Sequence, residues 1–237
     1  MNSLRIMAKQ SFDPLVSVDI PPAIKAFREL RTQVQIPIEH PIDLLKGMSM
    51  DLCEQRYPSL GDLEIYCYRV AGVVGVMMSH IMGIKDQKAY RHAIDLGLAM
   101  QLTNICRDVV TDAKIGRVYL PELWLVDAQI EPTPEALLNP KNHPEVVSIV
   151  KLLLERADSL YASGDKGLKY LPLRCALAVS IAREVYAAIG DEVLRRGVHA
   201  WDHRVWIPLP RKIFLGFKGI MKALGTIPYR LRKHKVR

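Results

Sequence analysis

The chain has 237 residues, 49% of them hydrophobic and 7% aromatic, which is enough for one large or two small globular domains with a buried core. Its four cysteines are scattered and lack the close spacing of a zinc site, which is typical of reduced thiols and argues against a disulfide-stabilised secreted protein. The net charge of +8 comes from the end of the chain, because residues 203–237 hold ten Lys or Arg and no acid, whereas residues 1–202 hold 23 basic and 25 acidic side chains.

The first 20 residues show no clear periodicity and no apolar segment of the kind found in signal peptides. We therefore predict a poorly ordered start over residues 1–20 and a cytoplasmic location. A Pro-Pro pair then opens a helix over about 23–35, and a second helix runs from Pro41 to Leu52. Because the apolar periods are of helix length, we expect an all-α domain over residues 21–207.

The next helix is expected to have Asp62 as its cap and to include the nearly uncharged segment from Val70 to Ile84. This segment is too short to span a bilayer comfortably, so it is predicted to be a buried core helix. It contains Gly72 and Gly75, although glycine inside a helix costs up to about 1 kcal/mol relative to alanine. We infer that another group, by default a neighbouring helix, comes close to this backbone.

A long helix is predicted to start at Asp86 and to stop between Gly116 and Pro121. At about 100° per residue, four polar side chains fall within an arc of roughly 80° on one face of this helix, and a cation lies at its edge. The four are Gln101, Asn104, Asp108 and Asp112, and the cation is Arg107.

Asp108 and Asp112 lie where helix stability alone would not place them. A like-charged pair at i,i+4 costs a few tenths of a kcal/mol, and the helix dipole disfavours anions near the C-terminal end. A divalent cation would explain the pair, since both carboxylates and the amide of Asn104 offer hard oxygen ligands on one side. Arg107 would then meet a phosphate directly. A solvated polar face is the alternative, and two aspartates at this spacing do not exclude it.

The segment from Asp127 to Pro144 contains four prolines and is predicted to be a surface loop. Two long helices follow, over about 145–170 and 172–197. His199 and His203 are four residues apart, but no HExxH signature or third ligand lies nearby, so we do not predict a zinc site.

Residues 208–237 are predicted to form a basic amphipathic C-terminal tail. Its apolar residues recur at helical spacing and have lysines on their flanks: Ile213, Phe217, Ile220 and Leu224, with Lys212, Lys218 and Lys222. This pattern fits a helix on an anionic membrane surface, and it also fits a last bundle helix followed by a disordered basic end. Nucleic acid is not a predicted partner, because the basic residues are terminal and lack interleaved aromatics.

Several motifs occur together and in a fixed order. They are LLKGMSMDL (44–52), YCYRVAGVVGVMMSHIMG (66–83), LGLAMQLTNICRDVVTDAKIGRVYLP (96–121), LPLRCALAVSIAREVYAAIG (171–190) and AWDHRV (200–205). Together they resemble the squalene/phytoene synthase family, and the third resembles the family's second aspartate-rich motif. The resemblance runs from about residue 21 to about residue 218 and is greatest to the phytoene synthases.

This resemblance implies an isoprenoid (terpenoid) synthase-type helical bundle. The implied reaction is the head-to-head condensation of two geranylgeranyl diphosphates to phytoene through prephytoene diphosphate, with release of diphosphate. The implied cofactor is Mg²⁺, with Mn²⁺ as an alternative, held by Asn104, Asp108 and Asp112, while Gln101 and Arg107 would contact the prenyl diphosphate. Two other functions stay open: squalene or dehydrosqualene synthase-type condensation of farnesyl diphosphate, and a non-catalytic prenyl-lipid-binding fragment or subunit.

The resemblance also assigns roles to residues outside the long helix. Tyr66 would place its phenol near the reacting centre, Arg117 and Tyr119 would lie at the cavity mouth and contact substrate, and Tyr186 would line the cavity wall. Each role has a structural alternative. Tyr66 could be an ordinary interface tyrosine, Arg117 and Tyr119 could be loop anchors, and Tyr186 could be a core tyrosine. Asp51 belongs to a recurring Met-Asp pair and is either catalytic or a buried or capping carboxylate.

Members of the family carry a first aspartate-rich motif on an earlier helix, and no DxxxD or DDxxD sequence precedes Gln101 here. We therefore expect an N-terminally truncated bundle with exposed apolar patches and little or no synthase activity by itself. The resemblance adds a second candidate for the group that approaches Gly72 and Gly75, namely the isoprenoid chain of a substrate.

Overall fold

A computed structural model describes residues 21–53 and 56–235, so the predicted poorly ordered start lies outside the described residues. The described residues form α-helices with short 3₁₀ and π-helical turns and contain no strand, which confirms the all-α prediction. We number the α-helices in chain order: α1 Pro22–Val34, α2 Glu39–Leu52, α3 Leu60–Cys67, α4 Val73–Ile81, α5 Gln87–Ala113, α6 Glu122–Asp127, α7 Pro134–Leu138, α8 His143–Gly167, α9 Leu173–Arg196, α10 Leu209–Leu224 and α11 Ile227–Lys235.

Helix α3 is capped by Ser59, and the prediction that Asp62 caps it is wrong. Ser59 Oγ accepts a hydrogen bond from the backbone N–H of Asp62, and the Asp62 carboxylate accepts one from the backbone N–H of Ser59 at 3.0 Å. This reciprocal pair is a capping box, in which Asp62 acts from the third position of the helix. Asp86 does cap α5, as predicted, by accepting the backbone N–H of Lys88 at 2.9 Å.

A π-helical turn, Tyr68–Gly72, separates α3 from α4, so the predicted apolar helix is interrupted. This turn and α4 pack closely on α5. A Cβ atom at Gly75 would lie 2.5 Å from the carbonyl oxygen of Ala93, and one at Gly97 would lie 2.6 Å from that of Ala71. The group that approaches the backbone at Gly75 is therefore the neighbouring helix.

We expect Gly75→Ala to lower the free energy of unfolding by about 1–3 kcal/mol, because the new methyl group would overlap a backbone carbonyl that cannot rotate away. Gly216→Ala on α10 is the matched control, since nothing lies within 4 Å of its Cβ position. Alanine at that site should leave stability unchanged or raise it by up to about 1 kcal/mol. Urea unfolding of both variants measures the difference, and a Gly75→Ala variant as stable as the parent would contradict this packing.

Helix α5 lies at the centre of the bundle and packs against α4, α8 and α9. Its apolar face is buried in the main core. Two polar contacts fix its rotation on that side. The Trp201 indole N–H donates to the carbonyl oxygen of Cys106 at 3.1 Å, and the hydroxyls of Thr103 and Tyr161 lie 3.0 Å apart. The polar face of α5 is therefore turned away from α8.

The segment predicted as a surface loop between Asp127 and Pro144 is only partly a loop. It contains α7 and a 3₁₀ turn, Pro140–Asn142. Ile130 and Leu137 are buried in the main core. Pro134 and Pro140 are the first residues of short helices here, and the two apolar anchors hold the segment against the bundle.

Helix α10 packs along α9 through Leu215, Gly219 and Ala223. The apolar side chains on its other side are 37–67% exposed: Leu209, Ile213, Phe214, Phe217, Ile220, Met221 and Leu224. We call this set the α10 apolar face. Lys218 and Lys222, predicted to flank that face, instead form ion pairs with the buried carboxylate of Glu184 on α9.

Further apolar side chains are exposed on α2 and α4. They are Leu45, Met48 and Leu52 on α2, and Val74, Met78 and Ile81 on α4. Their spacing places each set on one face of its helix. Each of these two helices therefore exposes apolar side chains along one face. Within the part of the chain that the structure covers, no helix combines the length and the hydropathy needed to cross a bilayer.

Candidate functional site

Asp108 is paired with the residue that precedes it. The guanidinium of Arg107 donates to both carboxylate oxygens of Asp108, at 2.9 Å and 2.5 Å, and the two side chains are only 13% and 22% exposed. Such a bidentate pair is strong and directional. Arg107 therefore lies beside the acid pair, and its predicted contact with a phosphate stays a prediction.

Asp112 lies in an unfavourable environment for a carboxylate. Burial and the negative charge of Asp108 raise its pKa to about 6, the charge of Asp51 adds to this rise, and Arg117 opposes it. The two aspartates of α5 therefore face the same space closely enough to repel each other. A positive charge placed between them would favour the ionised form of both.

The amide oxygen of Asn104 lies one turn before Asp108 on the same face of α5. It is buried and has no hydrogen-bond partner in the described part of the protein. A buried polar atom without a partner costs about 1–3 kcal/mol. An amide oxygen together with two carboxylates is the hard ligand set that Mg²⁺ takes, so these residues fit a divalent cation. No group of three or more His, Cys, Asp or Glu that could hold a metal occurs in the described part of the chain.

Asp51, in the last turn of α2, joins three elements. Its Oδ1 accepts a hydrogen bond from the Tyr119 hydroxyl at 2.8 Å, and its Oδ2 accepts one from the Tyr66 hydroxyl at 3.2 Å. The carboxylate thus pairs with two side chains and does not cap its own helix, whose C-cap residue is Cys53.

Three tyrosines pack together beside Asp51. The ring centroids of Tyr57, Tyr66 and Tyr119 lie 5.2–5.8 Å apart in pairs, and Tyr57 and Tyr66 are 1% and 3% exposed. Burial raises the pKa of all three phenols, to about 12 for Tyr119, where the hydrogen bond to Asp51 adds to the rise. The phenols of the cluster are therefore neutral, and aromatic ring faces in general attract cations.

The turn after α5 brings two predicted residues back to the acid pair. Gly116 has a φ of +81°, which ends the helix, and the backbone N–H of Arg117 donates to the carbonyl oxygen of Asp112 at 3.0 Å. Arg117 and Tyr119 line one shallow cleft together with Asp51, and they line a second, narrower one together with Asp112.

The remaining predicted residues are Tyr186 and Gln101. Tyr186 on α9 is half-buried and packs against the main core. The pKa of Arg107 is raised, chiefly by its hydrogen bonds to Asp108, and Tyr186 is close enough to contribute. Gln101 is half-buried on the same helix as the acids. Whether Tyr186 and Gln101 contact substrate stays a prediction.

Sequence reasoning left the role of Asp51 open and did not identify Tyr57. Asp51 carried a usable signal, because an acid in the last turn of a helix opposes the helix dipole, the same argument that singled out Asp112. Tyr57 lies in the connection before α3 and follows no helical pattern. Its place in the tyrosine cluster depends on the packing of the whole domain.

A family model and individual relatives both match this chain over most of its length. The family model described as squalene/phytoene synthase matches residues 7–211. A 15-cis-phytoene synthase from Enterobacter agglomerans is 44% identical over 217 residues, which cover 91% of this chain and 72% of that protein. A phytoene synthase from Pseudescherichia vulneris is 42% identical over 94% of this chain and 70% of its own length.

Among solved structures, a dehydrosqualene synthase in complex with ligand superposes with a TM-score of 0.77. It is 25% identical and is matched over 92% of this chain and 77% of its own. The helical bundle is thus the isoprenoid synthase-type fold that the motifs implied. With a family model that covers most of its length and with relatives above 40% identity, the chain belongs to the squalene/phytoene synthase family.

Proposed function

We propose that this protein is a prenyltransferase that joins two geranylgeranyl diphosphates head to head to form phytoene, through prephytoene diphosphate and with release of diphosphate. The observation that carries the proposal is the acid pair on α5. Asp108 and Asp112 repel each other next to the unpaired amide oxygen of Asn104, within the segment that resembles the family's second aspartate-rich motif. The relatives named phytoene synthase support the choice of substrate.

Each part of the site has a role in this reaction. Asp108, Asp112 and Asn104 would hold Mg²⁺, which when bound neutralises charge on the departing diphosphate. Arg107 and Arg117 flank the acids and would donate hydrogen bonds to diphosphate oxygens. The stacked rings of Tyr66 and Tyr119 would face the allylic cation that forms when the carbon–oxygen bond breaks. Apolar walls would exclude water, which would otherwise capture that cation.

Condensation of farnesyl diphosphate is the second candidate, and the superposition on a dehydrosqualene synthase favours it. The two candidates share the acid pair and the tyrosine cluster, and they differ in the length of prenyl chain that the cavity accepts. A comparison of both substrates therefore separates them.

The test measures binding and turnover separately. Purified chain is titrated with a non-hydrolysable geranylgeranyl thiodiphosphate with and without Mg²⁺, and diphosphate release is then followed with geranylgeranyl and farnesyl diphosphate. We expect Mg²⁺-dependent binding and faster release from geranylgeranyl diphosphate. Faster release from farnesyl diphosphate would select the second candidate, and binding without release would favour a non-catalytic prenyl-lipid-binding role. Absence of Mg²⁺-dependent binding would overturn the proposal.

We also propose that the protein is cytoplasmic and rests peripherally on an anionic membrane surface through the α10 apolar face. Two observations support this. Seven large apolar side chains are exposed along one helix, and the adjoining chain is rich in Lys and Arg, with Lys212 exposed beside the face. An amphipathic helix of this kind gains from burying apolar area and from attraction to anionic lipids.

Replacing Phe214 and Phe217 together with serine tests the membrane proposal. Sedimentation with phosphatidylglycerol vesicles should show binding at least about tenfold weaker than that of the parent, since each phenylalanine contributes roughly 1.5–3 kcal/mol when fully buried. Leu152→Ser, at an exposed position of α8, is the control and should bind as the parent does. Equal binding of the double variant and the parent would place the contact elsewhere.

A further inference from the structure

We propose that Asp51 is a positioning residue that acts on the reacting prenyl cation through Tyr66 and Tyr119. This inference rests on the proposed function, because it assigns a role within the same site. Its starting point is geometric: one carboxylate from α2 accepts a hydrogen bond from each of two phenols, one on α3 and one in the turn after α5.

The two hydrogen bonds fix the orientation of both rings. The hydroxyls of Tyr66 and Tyr119 lie 3.4 Å apart, and their rings stack with centroids 5.2 Å apart and planes 28° apart. Tyr119 donates to Oδ1 of Asp51, and Tyr66 donates to Oδ2 with the Tyr119 hydroxyl also within reach, so both hydroxyls are held in place and the stacking limits rotation of the rings. The third tyrosine, Tyr57, stacks on Tyr119 with ring centroids 5.8 Å apart and planes 22° apart.

The negative charge of Asp51 also acts on the rings electronically. A phenol that donates to a carboxylate carries more electron density on its ring than one that donates to water, and attraction of a cation to an aromatic face depends on that density. The charge of Asp51 therefore strengthens cation binding at the ring faces, while both phenols stay protonated because burial holds their pKa values high.

The arrangement also keeps the carboxylate from reacting. A bare carboxylate beside an allylic cation would attack it and form an ester. In this structure Asp51 lines the cleft beside Tyr119, but each of its oxygens accepts a phenolic hydrogen bond, which lowers the nucleophilicity of the carboxylate. The cation thus gains the electrostatic benefit of the acid without a competing nucleophile.

Asp51→Asn tests this role, because asparagine keeps the size of the side chain and removes its charge and one of its two acceptor oxygens. Binding of a protonated azaprenyl amine, in the presence of Mg²⁺ and diphosphate, reports on cation stabilisation without needing turnover. We expect Asp51→Asn to weaken binding of this amine by about tenfold and to leave binding of the neutral geranylgeranyl thiodiphosphate within about twofold. Asp43→Asn, on the same helix but paired with Lys46, is the matched control and should change neither.

Two further measurements separate positioning from a structural role or a metal role. In a Tyr66→Phe, Tyr119→Phe background, Asp51→Asn should cause little further loss of amine binding, since the coupling between these groups has been removed. Ultraviolet difference titration should show tyrosines that ionise at lower pH in Asp51→Asn than in the parent. This titration needs no ligand, so it tests the hydrogen-bonded cluster even where the proposed function fails.

Three results would overturn the inference. The first is an unchanged tyrosine titration in Asp51→Asn, which would mean that the hydrogen bonds do not form. The second is equal weakening of the cationic and neutral ligands, or a higher Mg²⁺ requirement, which would make Asp51 part of the metal or diphosphate site. The third is an unchanged affinity for the amine.

Discussion

Replacement of Asp112 by asparagine is expected to reduce Mg²⁺-dependent binding of prenyl diphosphate and the rate of diphosphate release by about a hundredfold or more, the loss typical when a preorganised charge-stabilising group is removed. The substitution keeps the shape of the side chain and removes the charge of Asp112, which lies in an unfavourable environment. It also removes the repulsion from Asp108 that raises the pKa of Asp112. The folded protein should therefore be at least as stable as the parent.

That opposite response of function and stability distinguishes a ligand-binding acid from a structural one. Calorimetric titration with geranylgeranyl thiodiphosphate and Mg²⁺ measures binding, and urea unfolding measures stability. Asp127→Asn, at the exposed end of α6, is the control and should alter neither. If Asp112→Asn binds the ligand as the parent does, the acid pair is a solvated polar face and the proposed metal site does not exist.

Replacement of Glu184 by glutamine is expected to cost about 2 kcal/mol of unfolding free energy. Glu184 is 2% exposed and pairs with Lys218, Lys222 and Arg183. Removing one partner of a buried ion pair typically costs about 3–5 kcal/mol, and we expect less here because the lysines are partly exposed and can be hydrated. The loss should fall mainly on α10, which these contacts attach to α9.

The pH dependence of this effect has a definite sign. Burial by itself would raise the pKa of Glu184, but hydrogen bonds from Lys222 and Lys218 lower it overall. A carboxylate with a lowered folded-state pKa stabilises the protein above its unfolded pKa and loses that contribution as the pH falls through the folded value. The difference in stability between Glu184→Gln and the parent should therefore be full near neutral pH and shrink in acid.

Urea unfolding at several pH values measures this difference. Hydrogen exchange at α10 amides shows whether the helix is released. Glu155→Gln, an exposed position on α8, is the control. A loss of stability that persists unchanged in acid would contradict an ionic origin.

The ion pairs of Glu184 also explain why Lys218 and Lys222 do not border the α10 apolar face as the sequence pattern predicted. The lysines at 218 and 222 suggested a cationic border to a lipid-facing surface, and their spacing is correct for that. In the structure they reach towards Glu184 and Asp165 instead, which fixes the rotation of α10 and leaves the α10 apolar face outward. Attraction to anionic lipid would then depend on Lys212 and the basic residues that follow α10.

Relations between residues of one helix could be predicted from the amino-acid sequence. Asn104, Asp108 and Asp112 share a face because the helical period fixes it, and their unfavourable position near the helix end was visible without coordinates. The ordered motifs also identified the family. These features are local or linear, so a pattern along the chain contains them.

Contacts between residues far apart along the chain became visible only in the folded domain. Asp51 binds Tyr66 and Tyr119, which are 15 and 68 positions away along the chain. Gly75 faces a carbonyl of α5 where a substrate chain had also been a candidate, and Glu184 forms ion pairs with Lys218 and Lys222. Such contacts depend on how helices of fixed shape pack against one another, because the energy of each contact comes from both partners and the sequence of one element does not specify the other.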